Sequence, residues 1–390
     1  MSRELALEFV RSETRLDQLF ESAFRMGRVD PEQKERVFTE VTAFVRLFPR
    51  YAERRGLDPF SRSSERTALA REALVRFDAL EERRLAVTEV LNCTSDRLAG
   101  AAALPGDFVA ALQRYKEETE LRNYLIRSLK ERPLYLRRTH VAGELPEGFE
   151  PVAGVTGAFR HPPGVIDFGA PWFREGLAEV QDLSGQLAAL LVNPRAGQLV
   201  VDACAGAGGK TLALAEAMQG KGRVIAVVTN AYHKKEITRR MKRLGVFNIE
   251  IHFPGDENLK ELAGKADIVW VDAPCSGSGV IRRNPDLIYR LQGLGIAALA
   301  QRQFELSMEY SSLVKPGGLL AYSSCSVLEE EGGAVPRRLR ELGDWSPAPA
   351  GRAVSYHALG LPVSSEYYLG FDAELDADGF YLGLLEKARS

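Results

Sequence analysis

Gln198-Leu-Val-Val-Asp-Ala-Cys-Ala-Gly-Ala-Gly-Gly-Lys-Thr211 reads as a short apolar strand, a turn of small residues and the opening of a helix. A continuous apolar run fits a strand that is buried on both faces. Small residues let the backbone come close to a ligand, and a helix start offers free N–H groups. A nucleotide-like cofactor suits such a loop; a tight strand–helix turn with no ligand is the plainer alternative. It is not a phosphate loop, although Gly209-Lys-Thr superficially resembles one. That spacing needs glycine five residues before the Gly-Lys pair, and Cys204 stands there.

Downstream the same texture repeats. Arg223-Val-Ile-Ala-Val-Val, Asn248-Ile-Glu-Ile-His-Phe, Asp267-Ile-Val-Trp-Val-Asp and Gly318-Leu-Leu-Ala-Tyr-Ser are further strands. Helical stretches at about 209–219, 231–244, 257–263 and 296–314 separate them. Buried strands alternating with helices predict an α/β fold with a mostly parallel, doubly wound sheet. Such sheets bind ligands at the carboxyl ends of their strands.

Upstream the pattern changes twice. Leu16, Leu19, Phe20, Ala23 and Phe24 share one helical face, and Val37, Val41, Phe44, Val45 and Phe48 share another. Asp30-Pro31-Glu32-Gln33 is written like a helix start, Phe60-Ser-Arg-Ser-Ser like a loop, and helical pattern resumes at Thr67. Between Arg132 and Phe173, prolines and glycines recur around the strand-like Leu134-Tyr-Leu-Arg-Arg-Thr. Three domains are therefore expected: helical over 1–130, a small connecting α+β domain over 131–175, and the α/β domain over 176–390.

The bulk numbers constrain the setting. The chain has 390 residues, 45% of them hydrophobic, enough for a real core. A net charge of -2 gives no global footprint for nucleic acid, so any RNA contact must use local basic clusters. The four cysteines, Cys93, Cys204, Cys275 and Cys325, are far apart and form no metal-like pair with histidine. With no visible signal segment or membrane span, a cytoplasmic monomer without metal or membrane contact is expected.

Chemistry concentrates at three strand ends. Beside the first loop stand Asp272-Ala-Pro-Cys-Ser-Gly-Ser-Gly279 and Ser323-Ser-Cys-Ser326. A lone cysteine is more often a small buried hydrophobe than a nucleophile, which is the reading for Cys93. Two cysteines at neighbouring strand ends, one beside an aspartate, invite a chemical reading instead.

These segments resemble the Fmu/RsmB/Sun family of RNA 5-methylcytosine methyltransferases. Val280-Ile-Arg-Arg-Asn-Pro-Asp286, Lys315-Pro-Gly-Gly, Glu179-Val-Gln-Asp-Leu-Ser184, Arg243-Leu-Gly245 and Asp378-Gly-Phe-Tyr381 extend the likeness over about residues 132–386. The resemblance implies a Rossmann-like class I methyltransferase domain with S-adenosylmethionine as cofactor. Bacterial ribosomal members carry a NusB-like helical domain where this chain has its helical front. The resemblance further implies that Cys325 adds to carbon 6 of cytosine and activates carbon 5. Asp272 would hydrogen-bond the base near its ring nitrogen, and Cys275 would serve release of the adduct. A thiolate is needed at neutral pH, and Lys315 is a candidate cation beside it. Cofactor contacts fall to Cys204, Ala205, Gly206, Ala207, Gly208, Gly209, Lys210, the position of Val228, Asp256 and Asp272.

The chain departs from the family in three places. Ala207 replaces a proline in the first loop, and Ser324 replaces a threonine before the nucleophile. Val228 replaces the acid that would hold the cofactor ribose. Loss of that contact costs roughly a few kcal/mol, which Thr229 or Asn230 would offset in part.

For RNA, Arg137, Arg138, Arg282 and Arg283 are the candidate phosphate contacts. Lys235, Arg239 and Arg243 share a helix face that is read equally well as an ordinary solvated one. Tyr135 and Trp172 are candidates for base stacking or for the core. The expected function is methyl transfer to carbon 5 of cytosine in RNA, ribosomal RNA ahead of transfer RNA. The alternatives are a non-catalytic RNA-binding or ribosome-associated descendant, and the same chemistry on another substrate.

Overall fold

The computed structural model describes the chain apart from residues 1, 13–14, 27, 30–32, 54–69, 71–72, 74–78, 142, 146, 162–165, 292, 349–363, 370–375 and 390. The helix start read at Asp30-Pro31-Glu32 and the loop and restart read at 60–67 lie outside the described residues.

The front of the chain is helical, with described helices at Ser2–Ser12, Leu16–Arg25, Lys34–Glu53, Ala79–Asn92, Leu98–Ala102, Gly106–Gln113 and Glu118–Leu129. Leu16, Leu19, Phe20 and Ala23 are buried together, as their spacing predicts. Arg46 is buried among these helices and uses its charge on carbonyls at the end of one of them. It donates to Ala102 O at 2.9 Å, Ala103 O at 3.1 Å and Ser128 Oγ at 2.9 Å. Cationic donors suit a helix carboxyl end, whose last carbonyls lack partners within the helix.

A small antiparallel sheet follows, in the order β2-β3-β1-β4. Its strands are β1 (Leu134–Arg138), β2 (Glu150–Pro151), β3 (Ala158–His161) and β4 (Ala178–Val180).

The large sheet contains β5 (Leu199–Asp202), β6 (Arg223–Val227), β7 (Ile249–His252), β8 (Ala266–Asp272), β9 (Val314–Ser324), β10 (Trp345–Pro347), β11 (Glu366–Leu369) and β12 (Phe380–Lys387). Its order is β10-β12-β9-β8-β5-β6-β7, and β11 pairs with β12. From β9 to β7 every pair is parallel. β12 then returns antiparallel along β9 and carries β10 and β11. The sheet is thus the Rossmann-like, doubly wound one expected, with an antiparallel extension at one edge. Alternate side chains feed two cores. Val200, Ala226, Ile268 and Trp270 pack with helices Leu183–Val192 and Gly209–Ala217. Val201, Ile225, Val269 and Val271 pack on the other face, with Tyr310 and Leu339.

The helical front rests on the loops that leave this sheet. Leu98, Leu112 and Leu125 share a core with Ile281, Ile288, Val327 and Leu328. Tyr124 Oη donates to Ser278 O at 2.7 Å, and Tyr289 Oη to Val45 O at 3.0 Å. Among the described residues no helix is long and apolar enough to cross a membrane.

Candidate active site

β8 and β9 run parallel with Asp272 opposite Ser323, so the chain leaves the sheet twice at one point. Cys275 follows one exit and Cys325 the other, and their Sγ atoms lie 3.0 Å apart. Two backbone bonds close the loops on each other and on the stretch before β12: Gly279 N to Cys325 O at 2.9 Å, and Gly379 N to Gly279 O at 2.8 Å. A β-carbon on Gly279 would collide with the Gly379 carbonyl, a backbone atom that cannot swing aside. That contact explains the last glycine of the Asp-Ala-Pro-Cys-Ser-Gly-Ser-Gly segment. Gly279→Ala should cost about 1–3 kcal/mol of stability, as overpacking does, read as a lower midpoint in urea unfolding. An unchanged midpoint would mean that the contact is loose.

The two thiols are electrically unequal. The hydrogen bond with Cys275 holds the Cys325 thiol below its ordinary range, against the opposing effects of burial and Asp272; Lys210 and Arg283 add to the lowering. The same bond, together with burial, holds Cys275 well above its ordinary range. The 3.0 Å contact lets either sulfur donate, and the opposite shifts favour Cys325 as the thiolate of the pair. The cation expected from Lys315 is absent from this end: that side chain pairs with Asp267, where β8 and β9 begin. Lys210 takes the place beside the thiols, ion-paired to Asp272 Oδ2 at 2.7 Å. Burial presses the Lys210 ammonium down, and the Asp272 charge and hydrogen bond outweigh it, leaving the group above its ordinary range.

Asp272 is oriented from its other oxygen. Trp270 Nε1 donates to Ser323 Oγ at 2.8 Å, and Ser323 Oγ donates to Asp272 Oδ1 at 2.7 Å. A carboxylate held on both oxygens is pre-set for a ligand group. Nearby, Asp202 accepts Thr211 Oγ1 at 2.6 Å, and burial pushes its carboxyl up to about 6.

Two cavities meet at Asp272, Cys204 and Gly206. One, of about 330 Å³, is bounded by Ala203, Val227, Thr229, His233, Pro254 and Tyr310, at the carboxyl ends of β5 and β6. Its largely apolar wall, with the shared Asp272 at one end and Arg302 and Glu309 also on it, suits a nucleoside with a charged end. The other, of about 430 Å³, reaches Cys325, Lys210, Arg283, Arg132 and Arg240. Cys275 opens instead to a third cavity with Asn284, Asp286 and Arg290.

Several expected contacts are redistributed by this geometry. Ala205, Ala207, Gly209 and Lys210 line the cavity that holds Cys325, not the β5–β6 cavity. Gly208, Val228 and Asp256 border neither. Gly208 (φ 86°) lies against Ile237, where only glycine fits. Val228, just past the end of β6, packs in one core; of its neighbours, Val227 is buried in the other core and Thr229 follows, and both border the β5–β6 cavity. Asp256 caps the helix Glu257–Lys260 through Asn258 N and accepts His252 Nδ1 at 2.9 Å. Asn230 is likewise spent, capping the next helix through His233 N at 2.9 Å. Burial pushes the Cys204 thiol up to about 12.

The arginines divide in the same way. Arg137 pairs with Glu216 and with Gln181 Oε1, and its side chain is mostly buried. Arg282 reaches Asp376 and the carbonyls of Lys130 and Glu131, fastening the end of the helical front to the cysteine loop. Both are internal ties, which corrects their reading as phosphate contacts. Arg243 also turns inward, to Glu179 and Phe173 O, so it shares no outer face with Lys235. Arg138 stays exposed, with one bond to Gly143 O at 2.6 Å. Arg283 lines the thiolate cavity beside Asp378, 2.7 Å away. Tyr135 is buried with its hydroxyl on Asp376 O, and Trp172 packs near Phe149 and Phe173. Arg132, Arg240 and Asp378 join the site through tertiary structure alone, whereas Thr229 is expected beside Val228. No local spacing marks the first three, although Asp378 opens a quoted family segment.

The family model described as 16S rRNA methyltransferase RsmB/F matches residues 189–385, half of the chain. The chain belongs to this family. The match contains the Gly-rich loop, Asp272, Cys275 and Cys325. Among curated relatives, the chain is 33% identical over 265 residues to the "Probable ribosomal RNA small subunit methyltransferase B" of Synechocystis, covering 65% of this chain and 55% of that one. It is 33% identical over 227 residues to the ribosomal RNA small subunit methyltransferase B of Pasteurella multocida, covering 56% and 49%. The chain thus spans about half the length of the curated relatives it matches. Two solved structures share the fold. That of PH0851 has a TM-score of 0.67 at 22% identity and covers 98% of this chain and 89% of its own. A methyltransferase homologue from Pyrococcus horikoshii has a TM-score of 0.59 at 24% identity, covering 75% and 98%.

Proposed function

We propose that this chain of the RsmB/F family methylates RNA from S-adenosylmethionine, at carbon 5 of cytosine, through a covalent Cys325–cytosine adduct. One observation carries the reading: two cysteines in sulfur–sulfur contact at adjacent strand ends, beside a carboxylate shared by two cavities. A binding protein has no use for that pair. The descriptions of the family and its relatives make ribosomal RNA the favoured substrate class, ahead of transfer RNA. The helical front over 1–130 and the small sheet are proposed as accessory units that help to hold it.

The cofactor fits the β5–β6 cavity, with Thr229 the remaining hydroxyl for the ribose and Asp272 at the junction. When bound, it supplies an electrophilic methyl group. The target cytosine leaves its stack and enters the cavity of Cys325. Cys325 shares an electron pair with carbon 6, while Asp272 hydrogen-bonds the base edge. The ring then becomes nucleophilic at carbon 5. After methylation the carbon-5 proton leaves to a base, carbon 6 expels the Cys325 sulfur, and the double bond is restored. Cys275 serves that release. Arg283 and Arg138 are the proposed phosphate contacts.

The burial of Val228 favours a second reading, a non-catalytic RNA-binding descendant with weakened cofactor affinity. One measurement separates them, and a second tests the ribose site. Labelled S-adenosylmethionine and bulk bacterial RNA should yield labelled 5-methylcytidine on nucleoside analysis; no label at saturating cofactor favours the second reading. Thr229→Val should weaken cofactor binding about two- to tenfold by calorimetry, the value of one hydrogen bond. Unchanged affinity would remove Thr229 from the ribose site.

A further inference from the structure

The two cysteine loops are joined by one buried side chain. Glu331 ends the short turn Glu329–Glu331 after β9 and is fully buried. Its Oε1 accepts Ser276 N at 2.8 Å and Gln303 Nε2 at 2.9 Å. Its Oε2 accepts the hydroxyls of Ser276 and Ser326, at 2.5 Å and 2.7 Å. Its own carbonyl accepts Tyr322 Oη at 2.6 Å and Ser324 Oγ at 2.8 Å. Ser276 directly follows Cys275, and Ser326 directly follows Cys325. A single carboxylate therefore grips the residue behind each sulfur, while its backbone grips the strand that delivers Cys325. Gln303 braces the arrangement by also donating to Pro274 O at 3.0 Å, one residue before Cys275.

An interior carboxylate is costly unless its lone pairs are used, and here each oxygen takes two donors. Removing it would leave two hydroxyls, a backbone N–H and an amide in want of acceptors. The groups so held flank the sulfurs and do not include them.

We propose that Glu331 is a positioning residue that keeps the Cys275 and Cys325 loops in register, so that the two sulfurs stay in hydrogen-bond contact. The inference rests on the reading of Cys325 as nucleophile and adds the device that prepares it. Glu331 touches no substrate; it acts through the contact between the sulfurs.

The test is the rate of iodoacetamide alkylation of Cys325 against pH, followed by peptide mass spectrometry on the full chain. It needs no RNA and no cofactor. Glu331→Gln preserves the side chain's shape and one acceptor oxygen but loosens the grip on the two hydroxyls. It should move the alkylation profile to higher pH and slow the reaction at pH 7 by about three- to tenfold. Cys275→Ala should do the same by removing that contact. In the double variant the two effects should not add, because both act on one bond. Ser326→Ala, which removes a single arm, should give a smaller shift of the same sign and serves if Glu331→Gln does not fold. An unchanged profile in Glu331→Gln, or an undiminished further shift on top of Cys275→Ala, overturns the proposal. A chain that alkylates as expected but transfers no methyl group would sink the methyltransferase reading and leave the clamp standing. The reverse result would do the opposite.

Discussion

Cys325→Ala abolishes methyl transfer, by about 10³-fold or more in single-turnover rate, and leaves cofactor affinity within about twofold. The size follows from the role. Without a sulfur adding to carbon 6, carbon 5 of cytosine has too little electron density to attack a methyl group, and no other thiol can replace it. The contact with Cys325 and burial hold the Cys275 thiol well above its ordinary range, and burial pushes Cys204 up to about 12. Cofactor affinity should survive, because Cys325 lines the cavity with Lys210 and Arg283 and not the one between β5 and β6. Rapid-quench measurement of labelled RNA, with calorimetry in parallel, checks both halves. Residual transfer within tenfold of the parent chain would show that Cys325 is not the nucleophile.

Cys275→Ala gives a different defect. The adduct should still form, because Cys325 and its two cations remain, but release should stall. A covalent protein–RNA species should build up to most of the enzyme present, seen as a slow band on a denaturing gel. The geometry supports this division of labour. Cys275 touches the Cys325 sulfur but opens to a separate cavity with Asn284 and Asp286, so its loss leaves the wall of the Cys325 cavity in place. Loss of the hydrogen bond with Cys275 should also weaken the thiolate, so adduct formation should be slower than in the parent chain. A band from Cys325→Ala with none from Cys275→Ala would reverse the two roles.

The sheet was legible because its strands are buried on both faces and read as plain apolar runs. Leu199–Asp202 and Ala266–Asp272 fall within a residue of their expected starts. The cysteines and Asp272 were legible because their loops carry contiguous signatures that no long-range partner has to complete. What could not be read is who meets whom. Lys315 precedes a Pro-Gly-Gly turn and Lys210 follows a Gly-Gly pair, but β9 begins at the amino ends of the parallel strands and the Gly-rich loop lies at their carboxyl ends. Arg137, Arg243 and Arg282 sit in basic pairs or runs that look solvated, and each is neutralised by an acid or carbonyl far along the chain. Val228 shows the limit of reading by position: the match to an acid is one of sequence register, and the side chain packs in the core. Glu331 was hidden in a run of three glutamates, which from sequence is an exposed face. Its burial depends on Ser276 and Gln303, 55 and 28 residues away.

The most direct test uses RNA carrying 5-fluorocytosine, incubated with the parent chain and S-adenosylmethionine. Fluorine cannot leave carbon 5 as a proton does, so a methylated adduct is trapped before elimination. Digestion and peptide mass spectrometry then identify the attached residue. The account predicts one nucleotide-bearing peptide, joined through Cys325. A link through Cys275, or no covalent product under conditions where methyl transfer proceeds, would contradict it.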